Sequence, residues 1–190
     1  MKKIILILSL VIISVKSFSQ VTFKPGVRTG FNIASITETK DGSKTTFYIG
    51  AFGELRFGGK YALQPEIGYS SQGSKRYNLE YLSIKITNKF YGFKGIPMFL
   101  LIAPGIDFNL HGNTQSNSGD TYYSVNFEAD LSFSAGLGYD FPNGLGVEAR
   151  YKRGVVDVHV DSFYEEDGLN NKMNSVVQIG VFYKFGKKRK

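Results

Sequence analysis

The chain has no cysteine and no tryptophan, and only 2 histidines and 5 prolines among 190 residues. Without cysteine there is no disulfide scaffold, thiolate zinc site, iron–sulfur cluster, cysteine nucleophile or lipobox. His111 and His159 alone leave little for an imidazole metal cluster. No glycine-rich phosphate loop follows a strand and opens a helix, and no zincin or nucleophile-elbow pattern is present. Nor does any apolar run reach the ~20 residues that a bilayer-spanning helix needs. What is plentiful is aromatic side chain and glycine, with 16 Phe, 12 Tyr and 22 Gly. That composition favours β-structure and speaks against disorder.

The formal net charge is +7, a value that raises nucleic acid as a partner until the charges are located. Lys2, Lys3 and Lys16 lie in the first nineteen residues, and Lys187, Lys188, Arg189 and Lys190 close the chain. Without these seven, basic and acidic residues are equal in number. The body of the chain is neutral, so no nucleic-acid partner is expected. Met1-Lys2-Lys3, the apolar stretch from Ile4 to Val15, and Lys16-Ser17-Phe18-Ser19 have the three regions of a secretion signal. Cleavage is expected after Ser19, which divides the chain into a signal peptide (1–19), a single domain (20–186) and a basic tail (187–190). The tail is expected to be a solvated end beside anionic lipid or glycan.

Beyond the signal, apolar residues recur with period two rather than at helical spacing. From Val125 to Phe141 every odd position is apolar, and every even position is polar or glycine. Similar alternation runs over Val27–Ala34, Phe47–Phe57, Tyr61–Ser71, Leu82–Lys89, Met98–Asn109, Leu145–Lys152 and Val177–Phe185, giving eight strands. The polar faces carry both signs of charge: Arg28, Glu54, Arg56, Glu66, Lys85, Lys89, Asp107, Glu128, Asp130, Glu148, Arg150, Lys152 and Lys184. They also carry Gly26, Gly30, Gly50, Gly68, Gly136, Gly138, Gly146, Gly154 and Gly180.

A soluble sandwich or ligand-binding barrel would turn its apolar faces inward. A membrane barrel turns them to lipid and brings the polar faces together. Glycine favours the membrane reading, because it weakens an exposed strand face but relieves crowding in a narrow lumen. Connection lengths agree. Short links, 58–60, 91–95 and 142–143, alternate with long polar ones, 37–45, 111–122 and 159–173, with 73–76 the exception. Short periplasmic turns and long outer loops are the pattern of an outer-membrane barrel. Tyr61, Tyr69, Tyr91, Tyr122, Tyr123, Tyr139, Tyr151, Phe57 and Phe141 fall near strand ends, as interfacial girdles would. The expected fold is all-β: an eight-stranded antiparallel up-and-down transmembrane barrel.

Lys24-Pro25-Gly26-Val27-Arg28-Thr29-Gly30-Phe31-Asn32-Ile33 and Leu63-Gln64-Pro65-Glu66-Ile67-Gly68-Tyr69-Ser70-Ser71-Gln72-Gly73 resemble the PorT-like outer-membrane β-barrel family. Leu137-Gly138-Tyr139, the stretch from Gly144 to Tyr151, and the closing stretch from Gln178 to Phe185 are similar to that family's last three strands. The resemblance covers the mature chain and implies an eight-stranded barrel in the outer membrane, with no reaction attached. The fourth and fifth strands depart from the family's usual polar forms, and Phe185 is followed by five further residues.

Two loop clusters offer chemistry. His159, Asp161 and Ser162, with His111, Ser116 and Ser118, contain the residue types of a nucleophile–base–orienter set at an outer rim. Their spacing is not diagnostic, and solvated loop residues are the expectation. Asp161, Glu165, Glu166 and Asp167 form an acidic loop without the glycine and spacing of a calcium loop. No catalytic, metal or cofactor site is expected. A lumen of about eight strands fills with side chains, and mixed signs on neighbouring strands predict paired charges. The chain is therefore expected to be a monomeric, plugged structural or interaction protein of the envelope. Its expected partners are outer-membrane lipids and, through its loops, surface molecules. A narrow channel or secretion-associated barrel is the alternative, ahead of a rim enzyme acting on lipid.

Overall fold

A strand that alternates needs hydrogen-bonded neighbours on both edges and one solvent for each face, and a closed sheet supplies both. In the computed structural model, which describes residues 21–36, 42–74, 77–92, 95–115, 121–124, 129–155 and 174–186, the strands form such a sheet. They are β1 (Val21–Ile36), β2 (Lys44–Phe57), β3 (Tyr61–Gly73), β4 (Tyr77–Phe90), β5 (Met98–Gln115), β6 (Thr121–Ser124), β7 (Ala129–Asp140), β8 (Leu145–Gly154) and β9 (Asn174–Lys184). The order is β4-β3-β2-β1-β9-β8-β7-β5-β6, and a β4–β5 ladder closes it. All pairings are antiparallel. Eight strands make the barrel. The short β6 and β7 lie along the same edge of β5, β6 beside Gly112–Gln115 and β7 beside Met98–Phe108.

The strands outrun the alternating pattern. β1 begins at Val21 rather than Val27, and the expected loop 111–122 is largely hairpin, because β5 continues to Gln115 and Thr121–Ser124 pairs with it. Alternation marks only the part of a strand with lipid on one side. At 111–115 the ladder continues through residues that are polar or glycine at both parities, so no pattern announces it, whereas Val21 and Phe23 carry the apolar face of β1 back toward its start. Two ladders skip pairs beside prolines, which have no N–H to donate. The β2–β3 ladder skips between Phe52 and Leu55 opposite Pro65, and the β4–β5 ladder skips between Lys85 and Asn88 opposite Pro104.

The apolar faces point outward. Phe23, Phe31, Phe47, Ile49, Ile86, Leu100, Leu137 and Ile179 are all exposed, while Arg28, Glu66, Lys89, Asp107, Glu148 and Arg150 are buried. Such a contiguous apolar surface is not carried by a soluble monomer, so the soluble ligand-binding barrel does not describe this chain. At the end holding the short turns, Phe57 packs on Tyr61 (5.7 Å between ring centroids), Tyr61 on Phe90 (5.5 Å), Tyr139 on Phe141 (4.9 Å) and Tyr183 on Phe185 (5.1 Å). At the other end Phe47 packs on Tyr69 at 5.7 Å. Phe47 and Phe57 stand ten residues apart on β2. At ~3.4 Å per residue and a tilt of ~40° they are separated by roughly 26 Å along the barrel axis, the height of an outer-membrane apolar band. Tyr91 does not join this girdle. It is buried in the barrel mouth and its hydroxyl donates to Asp140 at 3.0 Å. Tyr122 and Tyr123 lie on β6.

Candidate functional site: the lumen

The inward residues fall into three tiers. At the turn end Phe52, Phe99, Leu101, Tyr91, Phe182 and Ala62 form an apolar floor. The rings of Phe52 and Phe182 meet edge-on at 6.2 Å, Phe99 lies 6.2 Å from Phe182, and Tyr91 lies 5.4 Å from Phe99. Glycine makes space for these rings. A Cβ on Gly26 would strike Phe52, one on Gly138 would strike Phe99, and one on Gly146 would strike three atoms of the Phe182 ring. Lys89 rises from the floor, its Nζ 4.5 Å from the Phe99 centroid and 4.7 Å from that of Phe182. It pairs with Glu54 at 3.1 Å, which also holds Lys184 at 3.0 Å. Lys184 reaches Asp140 at 2.7 Å, and Arg56, at the mouth, lies 3.6 Å from Asp140 and stacks over Tyr91 at 4.0 Å.

The middle tier is a four-membered charge cluster. Arg150 donates to Glu66 at 3.0 and 3.2 Å and to Glu148 at 2.9 Å, while Arg28 pairs with the same two carboxylates. Glu66 also accepts from Gln64 at 2.7 Å and from Thr87. Each carboxylate thus faces two guanidinium groups, which offsets the cost of holding ions away from water. The upper tier is more polar than charged. Lys152 pairs with Asp107, which accepts from Ser83, and Gln178 donates to Asn32 at 2.8 Å. Asn32 in turn donates to Ser70 at 3.1 Å.

A small cavity opens between the middle and upper tiers, lined among others by Arg28, Tyr48, Glu66, Ser83, Lys85 and Gln178. Gly50 and Gly68, paired across β2 and β3, form part of its wall.

The expected interior charges are therefore brought together: Arg28, Glu54, Glu66, Lys85, Lys89, Asp107, Glu148, Arg150, Lys152 and Lys184 are all buried in the lumen. Asp130 is half-buried on the same side, and Glu128 lies outside the described residues. Of the rim candidates, His111 stands on β5 opposite Glu80, whereas Ser116, Ser118, His159, Asp161, Ser162, Glu165, Glu166 and Asp167 lie outside the described residues. The aromatic floor was not expected. Its signals were Phe182, which interrupts a polar face between Gly180 and Lys184, and the segment Met98–Ala103, apolar at both parities.

Among solved structures the fold is similar to that of Neisserial surface protein A. The two share 14% identity with a TM-score of 0.54, over 88% of this chain and 100% of that one. It is also similar to Ail, the attachment invasion locus protein of Yersinia pestis (14% identity, TM-score 0.51, 86% of this chain and 97% of that one). A second Ail structure, in complex with the heparin analogue sucrose octasulfate, matches at 13% identity and a TM-score of 0.50, over 86% of this chain and 99% of that one. No curated protein matches the chain. The profile of the family described as outer membrane protein beta-barrel domain matches residues 5–185. With its lipid-facing apolar belt and polar, ion-paired interior, the chain belongs to the outer-membrane protein β-barrel domain family and is a protein of the outer membrane.

Proposed function

We propose that this barrel is a plugged structural and interaction protein of the PorT-like group. It stands in the outer membrane as a monomer, with its long loops outside and its short turns and termini in the periplasm. Residues 1–19 act as the cleaved export signal, 20–186 as the barrel, and 187–190 as a basic periplasmic tail. The observation that carries this reading is the lumen. Its floor is aromatic, and its middle is spanned by Arg28, Arg150, Glu66 and Glu148 in mutual contact, an arrangement that supports a closed lumen. The luminal carboxylates are held by cations rather than set against a nucleophile, which supports a non-enzymatic role in which recognition falls to the loops. Ail, a similar barrel, has been solved in complex with the heparin analogue sucrose octasulfate.

Planar-bilayer recording tests the plug. The expected result is no steady conductance from the purified protein. A steady conductance that shifts on Arg150→Ala overturns the reading in favour of a channel. Pull-down from intact cells with the full protein and with a variant lacking 159–173 tests the interaction role. Partners captured by the first and lost with the second support it, and identical captures contradict it.

A further inference from the structure

Most charged side chains inside the barrel are ion-paired. Arg28 and Arg150 share Glu66 and Glu148, Lys89 and Lys184 share Glu54, Lys184 and Arg56 reach Asp140, and Lys152 takes Asp107. Lys85 is the exception. It is as buried as the others, yet among the described residues no carboxylate stands within ion-pair reach of it and no group hydrogen-bonds to it. A buried ammonium with neither an ion pair nor a hydrogen bond is costly, and such a group in an interior whose other cations are ion-paired points to a missing partner.

The surroundings describe that partner. Lys85 lines the cavity together with Arg28, whose Nε is buried without an acceptor. The neighbouring carboxylates are already engaged. Glu66 receives Arg28, Arg150, Gln64 and Thr87, and Asp107 receives Lys152 and Ser83. Among the described residues Gln178 Oε1 and the Tyr48 hydroxyl have no partner either, but both are neutral and cancel no charge. The wall thus carries two cations against one carboxylate, an excess of one. The paired Gly50 and Gly68 line the cavity where a Cβ on either would meet the backbone of the other strand.

We propose that the cavity beside Lys85 is a binding site for a small monovalent anion, of the size of chloride or bromide, held by the Lys85 ammonium and the Arg28 Nε–H. A single charge matches the excess, and a divalent oxyanion would overshoot it.

The test uses the full mature chain refolded into lipid vesicles, with urea unfolding followed in sodium bromide, sodium chloride or sodium gluconate at equal ionic strength. Gluconate is monovalent but too large for the cavity. The urea midpoint is expected to be higher in chloride and bromide than in gluconate, and to rise with the logarithm of halide concentration as for any ligand that binds only the folded state. Lys85→Met should remove the halide dependence and, in gluconate, unfold at a higher midpoint than the unmodified protein. Equal midpoints in halide and gluconate, or a halide dependence that survives Lys85→Met, overturn the proposal. Crystals of the unmodified protein soaked in bromide give a readout that needs no variant. Anomalous density beside Lys85 Nζ supports the site, and its absence there overturns it.

Discussion

Arg150 on β8 and Glu66 on β3 meet across the lumen through two hydrogen bonds, 3.0 Å from Nη2 to Oε1 and 3.2 Å from Nη1 to Oε2, although 84 residues separate them in the chain. The contact ties opposite walls of the barrel together. Arg150→Met leaves Glu66 and Glu148 with Arg28 as their one guanidinium partner, so two carboxylates compete for it in a buried site. A loss of about 3–5 kcal/mol is expected, as for other buried pairs broken on one side. The double variant Arg150→Met with Glu66→Gln should recover part of that loss, because the stranded carboxylate is removed with its partner. Urea unfolding in vesicles measures both, and a double variant no more stable than the single one would show that the pair is not coupled.

Gly146 and Phe182 supply a second test, since the ring lies where a Cβ on the glycine would stand. They are opposed in the β8–β9 ladder. Gly146→Ala is expected to cost about 1–3 kcal/mol by overpacking. Combining it with Phe182→Leu should cost less than the sum of the two single changes, because the smaller side chain vacates the space the methyl needs. Additive losses in urea unfolding would mean that the ring and the glycine do not share that space.

These two contacts mark what was legible in the sequence. The inward placement of Arg150, Glu66 and Gly146 follows from parity alone, because each sits on the polar face of a clearly alternating strand. Which charges meet does not follow. Pairing across the lumen depends on the tilt and stagger with which the strands close, and parity carries no trace of either. The floor was hidden for another reason. Phe99 and Leu101 lie on a strand that is apolar on both faces, so period two was absent where the barrel has an apolar interior and lipid outside. The cavity was hidden because an empty space has no residue of its own, and its lining is drawn from strands far apart in the sequence.

Glu54 and Lys89 form a pair whose members are not equivalent. Glu54 holds both Lys89 and Lys184, whereas Lys184 also has Asp140. Glu54→Gln therefore strands the Lys89 ammonium among rings and is expected to cost about 3–5 kcal/mol. Lys89→Met keeps an unbranched chain against Phe99 and Phe182, and leaves Glu54 with Lys184, so a loss under about 1.5 kcal/mol is expected. Equal losses in the two variants would show that the rings, rather than the carboxylate, hold the ammonium.

Val27 and Ser134 test which solvent each face meets. Val27 is 45% exposed midway between Phe23 and Phe31 on β1, while Ser134 is fully buried in the lumen with a hydroxyl that has no hydrogen-bond partner among the described residues. If the outer face meets hydrocarbon, Val27→Arg places a cation in the apolar belt and costs about 2–4 kcal/mol. In water the same substitution at an exposed site falls within about 0.5 kcal/mol. Ser134→Ala removes a polar group that contributes no bond, so stability in vesicles should be unchanged within about 0.5 kcal/mol or rise slightly. The usual rule for soluble proteins, that exposed sites tolerate change and buried ones do not, is thereby reversed at these two positions. A harmless Val27→Arg combined with a damaging Ser134→Ala would restore that rule and refute the membrane orientation of the sheet.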